Sequence, residues 1–292
     1  MKIIRAKVLG YCMGVRRAVT SAESALEKKA SRVFTLGPLI HNPVALNALS
    51  SRGLEILDAD KIDSLKSGDT VIIRAHGVPP ALERKLRKTG CTVVNATCPR
   101  VLISQKRAAE YVTQGFTVVL AGDKNHGEVT GIAGYAEEAS DGKTGFFHLV
   151  ENKSDSEKLV ESGVLRQKKV VLLSQTTFSP KEFEAISQVL KNAPLSSLEV
   201  FNTICPATKE RQEALFELAK EVEGIVVIGG KESANTKRLF LSAQNLCPNV
   251  AYIESASELP TSFASLSSVG ITAGASTPDS VIEAVEARLS SL

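Results

Sequence analysis

Short runs of apolar, β-favouring residues alternate along this chain with longer stretches in which apolar positions recur at helical spacing. That alternation predicts an α/β fold built on parallel strands. No apolar run approaches the roughly 18–20 residues that a membrane-spanning helix requires. Runs such as Val170-Val171-Leu172-Leu173 have the length of strands.

Within the alternation a weak repeat occurs three times. Each copy opens with a strand, a cysteine and a helix. The first copy has a strand over 2–9 and then Gly10-Tyr11-Cys12-Met13-Gly14; the second has 91–94 and then Asn95-Ala96-Thr97-Cys98-Pro99. The third has 198–201 and then Asn202-Thr203-Ile204-Cys205-Pro206. Helical patterns follow over 15–28, 100–114 and 207–222. Pro99 and Pro206 suit the first turn of a helix. Each cysteine thus falls at a strand-to-helix junction, where the partial positive charge of a helix N-terminus favours the thiolate.

A second strand in each copy ends in glycine, at Gly37, Gly122 and Gly229. The cysteine-to-glycine spacing is nearly constant at 25, 24 and 24 residues. Polar loops come next: Pro38-Leu39-Ile40-His41-Asn42, Asp123-Lys124-Asn125-His126-Gly127-Glu128 and Gly230-Lys231-Glu232-Ser233-Ala234-Asn235. A third strand closes each copy and leads to another polar loop and a proline, at 71–79, 171–180 and 269–278. The middle copy carries extra residues around 141–147.

Parallel sheets bind ligands at the carboxyl ends of their strands. Three equivalent units around a pseudo-threefold axis, a trefoil, would turn three cysteines and six polar loops toward one centre. The expected organisation is an N-terminal strand with the first cysteine over 1–12, then α/β domains over 13–97, 98–204 and 205–292.

Three thiolates from three domains can hold a cubane iron–sulfur cluster by three of its irons. The usual ligand set is four cysteines, so one iron would stay open for chemistry. A zinc site of three cysteines and a histidine competes with this reading, but structural zinc usually draws on local C-x-x-C pairs, and the chain has none. Simple packing of all three cysteines would leave their common place in the repeat unexplained. Cys91 and Cys247 lie off the pattern and read as core or surface thiols.

Composition narrows the function classes. The 292 residues are 43% hydrophobic and 23% charged, with a net charge of +3 that gives no argument for a nucleic-acid partner. The first residues lack the apolar stretch and cleavage site of a signal peptide, so a cytoplasmic protein without membrane association is expected. Five cysteines, an odd number, make a disulfide framework an unexpected arrangement.

Three of the four histidines, His41, His76 and His126, fall in loops after strands; His148 does not. With Thr176, Ser233, Asn235 and Ser276 they could form a side-chain cradle for phosphate oxygens. No P-loop is present, since Gly229-Gly230-Lys231-Glu232 lacks its glycine spacing and its Ser/Thr. Glu128 is either an acid kept protonated in a closed site or a solvated loop carboxylate, and spacing alone leaves both open.

Taken in order, these segments resemble the 4-hydroxy-3-methylbut-2-enyl diphosphate reductase (IspH/LytB) family over essentially the whole chain. The matching motifs are Gly10-Tyr11-Cys12-Met13-Gly14-Val15, Gly37-Pro38-Leu39-Ile40-His41-Asn42, Arg74-Ala75-His76-Gly77 and Ala96-Thr97-Cys98-Pro99. They continue with His126-Gly127-Glu128-Val129, Ser174-Gln175-Thr176-Thr177, Asn202-Thr203-Ile204-Cys205-Pro206 and Thr272-Ala273-Gly274-Ala275-Ser276.

The resemblance implies a [4Fe–4S] cluster on Cys12, Cys98 and Cys205 with one open iron. It implies an oxidoreductase at the last step of the non-mevalonate isoprenoid pathway. The substrate is an allylic alcohol diphosphate, reduced and dehydroxylated to isopentenyl and dimethylallyl diphosphate. It further implies an electron-donor protein such as ferredoxin or flavodoxin. Carried over by position, His41, His76, Ser233, Asn235 and Ser276 are diphosphate ligands. His126 lies near the diphosphate and serves the proton relay, Glu128 is the proton source, and Thr176 places the substrate hydroxyl or a water. One departure stands in Ser233-Ala234-Asn235, where many members have two serines before the asparagine. A diphosphate contact at Ala234 must come from backbone or water.

Overall fold

The computed structural model describes residues 1–28 and 32–292. The chain begins with β1 (Lys2–Arg5), α1 (Met13–Glu27), β2 (Val33–Leu36), α2 (Pro43–Ser50), β3 (Leu54–Leu57), β4 (Thr70–Ile73) and α3 (Pro80–Lys88). It continues with β5 (Thr92–Asn95), α4 (Pro99–Thr113), β6 (Thr117–Ala121), α5 (Gly127–Ala139), β7 (Phe147–Val150), α6 (Lys153–Glu161), β8 (Lys169–Ser174) and α7 (Pro180–Lys191). Last come β9 (Ser197–Val200), α8 (Pro206–Ala219), β10 (Gly224–Ile228), α9 (Ala234–Gln244), β11 (Asn249–Ile253), β12 (Ser268–Ala273) and α10 (Asp279–Ser290). Among the described residues no helix is long and apolar enough to cross a membrane.

Two compact units emerge, Met1–Ile56 with Pro206–Leu292, and Leu57–Cys205. The fold is α/β with three four-stranded sheets. In the first unit the strand order is β1-β12-β10-β11; in the second it is β7-β6-β8-β9. The pairs β1–β12, β10–β12, β10–β11, β6–β7, β6–β8, β8–β9 and β4–β5 are all parallel.

Strands β6 and β10 are buried along their whole length, as are β8 from Val170 and β12 from Val269. Unbroken Val/Ile/Leu runs are what a parallel sheet covered by helices on both faces demands. The helices supply narrow apolar stripes. In α1 the buried residues Gly14, Ala18, Ala22 and Ala25 share one face, and in α10 Val281, Ile282, Val285 and Leu289 do so. Each fully buried Val, Leu or Ile contributes about 1.5–3 kcal/mol, and each unit holds more than one such cluster.

Three strands, β3, β7 and β11, were absent from the strand-by-strand reading of the repeat. They are short, and their residues mix buried positions with half-buried or exposed ones in no regular order, so neither a period of two nor a solid apolar run marks them. The residues around 141–147 that lengthen the middle copy lead into β7. The first strand is also shorter than the expected 2–9, since Lys7–Gly10 leave the sheet after β1.

The repeat has a structural counterpart in the strands that lead to the cysteines. β5 pairs with β4, β9 with β8, and β1 with β12. Each is the partner of a strand that ends in the third polar loop of a copy.

Candidate functional site

All three cysteines of the repeat receive the same backbone treatment. Beyond the end of each leading strand, the cysteine N–H donates to a carbonyl that follows the partner strand. Cys98 N–H donates to Ala75 O at 2.9 Å, Cys205 N–H to Thr176 O at 2.8 Å, and Cys12 N–H to Ala275 O at 3.1 Å. Each acceptor sits in the third-strand loop, in Arg74-Ala75-His76, Gln175-Thr176-Thr177 and Gly274-Ala275-Ser276. One backbone hydrogen bond thus holds each cysteine beside a third-strand loop. Cys12 and Cys98 are the N-caps of α1 and α4, and Cys12 Sγ accepts from Val15 N–H at 3.5 Å. Pro206, the first residue of α8, follows Cys205. None of the five cysteines forms a disulfide; Cys91 and Cys247 are buried, in keeping with core thiols.

The second-strand loops share a different device. Each ends in a helix N-cap: Asn42 for α2, His126 for α5 and Ser233 for α9. Asn42 Oδ1 accepts from Ala45 N–H at 3.0 Å, His126 Nδ1 from Glu128 N–H at 3.2 Å, and Ser233 Oγ from Thr236 N–H at 3.3 Å. Helix N-termini present backbone N–H groups and a positive dipole end, a ready site for phosphate oxygens. The expected cradle was a side-chain one; these helix ends add backbone donors, including the N–H of Ala234 at the start of α9.

In the unit Leu57–Cys205, six of the expected site residues are linked. Glu128 is 1% exposed. Its Oε1 accepts from Thr176 N–H and its Oε2 from Thr176 Oγ1, both at 2.7 Å. Thr176 O in turn holds Cys205 N–H. The His126 ring meets the His76 ring edge to face, with centroids 5.1 Å apart, and His76 follows the Ala75 that holds Cys98. Because Nδ1 of His126 accepts a hydrogen bond, the neutral ring carries its proton on Nε2 and presents Nε2–H as a donor. The solvated-carboxylate reading of Glu128 fails on its burial.

In the unit Met1–Ile56 with Pro206–Leu292, Ser276 Oγ donates to His41 O at 3.1 Å. Gly230 lies against the same His41 carbonyl, where any side chain would collide. Cys12 is tied to Ala275, the neighbour of Ser276. Asn235 is buried, and its Nδ2 has no hydrogen-bond partner among the described residues. A buried amide without an acceptor costs about 1–3 kcal/mol.

Several residues near these loops escaped the sequence reading. Gln175 is wholly buried; its Oε1 accepts from Asp123 N–H at 2.7 Å and its Nε2 donates to Asp123 Oδ2 at 3.0 Å and Thr177 Oγ1 at 2.7 Å. It braces the loop before His126 against the loop of Thr176. Arg74 lays its guanidinium on Gly127, the first residue of α5, with Nε buried and without a hydrogen-bond partner among the described residues. Burial holds the Arg74 pKa below its ordinary value. Asn42 and Gln175 lie inside quoted motifs, but nothing in a single sequence separates bracing residues from ligand-contacting ones.

Comparison with known proteins agrees with this arrangement. The family model for "LytB protein" matches residues 3–290. The 4-hydroxy-3-methylbut-2-enyl diphosphate reductase of Treponema denticola is 46% identical, with 99% of each chain covered. The enzyme of that name from Aquifex aeolicus is 41% identical, covering 98% of this chain and 95% of its own. A solved structure of (E)-4-hydroxy-3-methyl-but-2-enyl diphosphate reductase, described as the terminal enzyme of the non-mevalonate pathway, superposes with a TM-score of 0.72 at 40% identity and full coverage of both chains. The reductase from Plasmodium falciparum gives a TM-score of 0.84 at 26% identity, covering 97% of this chain and 86% of its own. A family match over residues 3–290, joined to full-length relatives 41% and 46% identical, means that this chain belongs to the LytB protein family.

Proposed function

We propose that this protein reduces 4-hydroxy-3-methylbut-2-enyl diphosphate to isopentenyl and dimethylallyl diphosphate, taking up two electrons and two protons and releasing the hydroxyl as water. The observation that carries the reading is the Glu128–Thr176–Cys205 connection: a buried carboxyl, both of its oxygens held by one threonine, and that threonine bonded to a candidate cluster ligand.

Cys12, Cys98 and Cys205 are the residues that would hold a [4Fe–4S] cluster. The donor set fits: thiols outside any disulfide, partly accessible and at or beside helix N-termini. When bound, the cluster supplies the electrons and an iron without a protein ligand, a Lewis-acid contact for the substrate hydroxyl. Ferredoxin or flavodoxin is the electron-donor class proposed.

The protein side of the chemistry is binding and proton delivery. His41, His76, His126, Ser233, Asn235 and Ser276, with the N-termini of α2, α5 and α9, hold the diphosphate. Ser276 must turn its hydroxyl from His41 O toward the ligand to do so. Thr176 Oγ1 has lone pairs left to accept from the substrate hydroxyl while donating to Glu128. When Glu128 carries the proton, the pair reverses: the carboxyl donates to Thr176, and Thr176 donates to the departing oxygen. His126 Nε2–H faces anionic oxygen as a fixed donor.

The test is iron and sulfide content with electron paramagnetic resonance on anaerobically purified protein, with and without the diphosphate alcohol. About four irons per chain and a ligand-perturbed spectrum support the reading. Zinc alone, with no sulfide after reconstitution, overturns it in favour of the zinc site.

A further inference from the structure

The three cysteine segments are alike in their hydrogen bond to the third loop, but not in what precedes the cysteine. Three residues before Cys98 stands Asn95, whose Oδ1 accepts from Thr97 N–H at 3.0 Å. Three residues before Cys205 stands Asn202, whose Oδ1 accepts from Ile204 N–H at 3.1 Å. Each asparagine closes a local turn that stiffens the approach to its cysteine. The matching place before Cys12 is Leu9, which has no such group and packs instead against the apolar core around β12 and α10. The stretch from Lys7 to Gly10 has left the sheet, and Gly10 adopts φ +77°. By local structure alone, the Cys12 approach is the loosest of the three.

A distant side chain supplies what Leu9 cannot. Arg211 on α8 is 3% exposed. Its Nη2 donates to Gly10 O at 2.6 Å and its Nη1 to Ala207 O at 2.8 Å. The planar fork of the guanidinium holds both carbonyls at fixed spacing, a geometry that a lysine head cannot reproduce. Gly10 O and Cys12 N–H are thereby both anchored, the first to α8 and the second to Ala275.

We propose that Arg211 is the positioning residue for Cys12, standing in for the asparagine turn that the other two cysteine segments carry. It touches neither substrate nor cluster in this role; it limits where the Cys12 thiolate can be. The inference rests on the cluster-binding reading for its purpose, while its geometric content concerns the protein alone.

The test uses the full-length chain as wild type, Arg211→Lys and Arg211→Met. Two readouts are taken: iron and sulfide after anaerobic reconstitution, and, after iron removal, the iodoacetamide alkylation rate of each cysteine resolved by peptide mass spectrometry. Loss of a charged donor to a carbonyl shifts a local opening equilibrium about tenfold or more. Arg211→Met is therefore expected to raise the alkylation rate of Cys12 by about that factor, with Cys98 and Cys205 unchanged, and to lower iron retention against a chelator. Arg211→Lys, which keeps the charge and one bond, falls between and guards against a methionine variant that does not fold. Equal rates at Cys12 in all three proteins overturn the proposal, as does a common rise at all three cysteines, which would mean a general role in the fold. A wild type that binds no cluster overturns the functional reading and leaves the alkylation result to decide this one.

Discussion

Glu128→Gln separates the proton from the architecture that holds it. Glutamine has the shape of glutamate, so Oε1 keeps the 2.7 Å bond from Thr176 N–H. On the other side the new Nε2 donates, and the Thr176 hydroxyl turns from donor to acceptor at the same 2.7 Å contact. Both bonds to Thr176 are conserved, so the fold should lose no more than about 1 kcal/mol through them, the net worth of one such bond. The transferable proton is gone. A positioned acid is worth roughly 10²–10⁴ in rate, or about 2.7–5.4 kcal/mol of barrier at 1.36 kcal/mol per decade. The loss should fall on kcat, because the diphosphate contacts proposed for the histidines and for Ser233, Asn235 and Ser276 do not pass through this carboxyl. The assay is anaerobic turnover with a chemical reductant, reporting kcat and KM separately, alongside iron content. If Thr176 relays the proton, Thr176→Val should also depress kcat, and the double variant should be little worse than Glu128→Gln alone, as expected of groups that act as a unit. A Glu128→Gln protein with intact iron and more than about a tenth of wild-type kcat refutes the acid role.

Cys98→Ser should leave far less iron and sulfide per chain than wild type, since an alcohol does not offer the thiolate ligand; unchanged iron would remove Cys98 from the ligand set. Gly127→Ala drives a Cβ into the Arg74 guanidinium and should cost about 1–3 kcal/mol by urea titration. In an Arg74→Ala background the same change should be neutral or stabilising, because alanine is the better helix former; additive costs would break the link. His148 has its pKa lowered, first by burial and then by the Lys168 charge, with a Gly145 backbone bond opposing. The unfolded chain therefore binds the proton more readily, so this group's contribution is intact above its ordinary value of 6.5 and falls as pH drops below it. His148→Gln should flatten that acid limb, and stability–pH curves parallel to wild type would show that His148 does not set it.

The legible part of this fold was what the chain repeats. Near-equal spacing from cysteine to strand-end glycine needs no knowledge of packing, and the central strands betray themselves by unbroken apolar runs such as 170–173. Strands β3, β7 and β11 left no comparable trace, because a half-exposed strand of four or five residues takes its order from the neighbour it pairs with. The site divided in the same way. Cysteines, histidines and Glu128 are chemically conspicuous in any sequence. Arg211 was not, since an arginine in mid-helix usually faces solvent, and only its burial and its bond to a carbonyl 201 positions away mark it as different. The burial of Glu128 was equally invisible, and it removed the solvated-carboxylate reading that spacing had left open.

The repeat also explains how one scaffold distributes three roles. In the second-strand loops the N-cap residues are Asn42, His126 and Ser233, so the second helical positions are Val44, Glu128 and Asn235. These are equivalent backbone positions, each at a helix N-terminus where negative charge is favoured. Val44 is exposed and has no polar group to offer. Asn235 is buried with an amide hydrogen-bond donor left over, suited to an anionic oxygen. Glu128 is buried against Thr176, whose counterparts in the other copies, Ala75 and Ala275, lack the hydroxyl that completes a relay. The backbone bond from cysteine to third loop is common to all three copies, so it holds each thiol without assigning any chemistry. What differs between the copies is the paired choice of side chains at the helix start and in that loop. Only the copy with Glu128 and Thr176 has both members of an acid–hydroxyl pair, which is why proton delivery should reside there and nowhere else in the repeat.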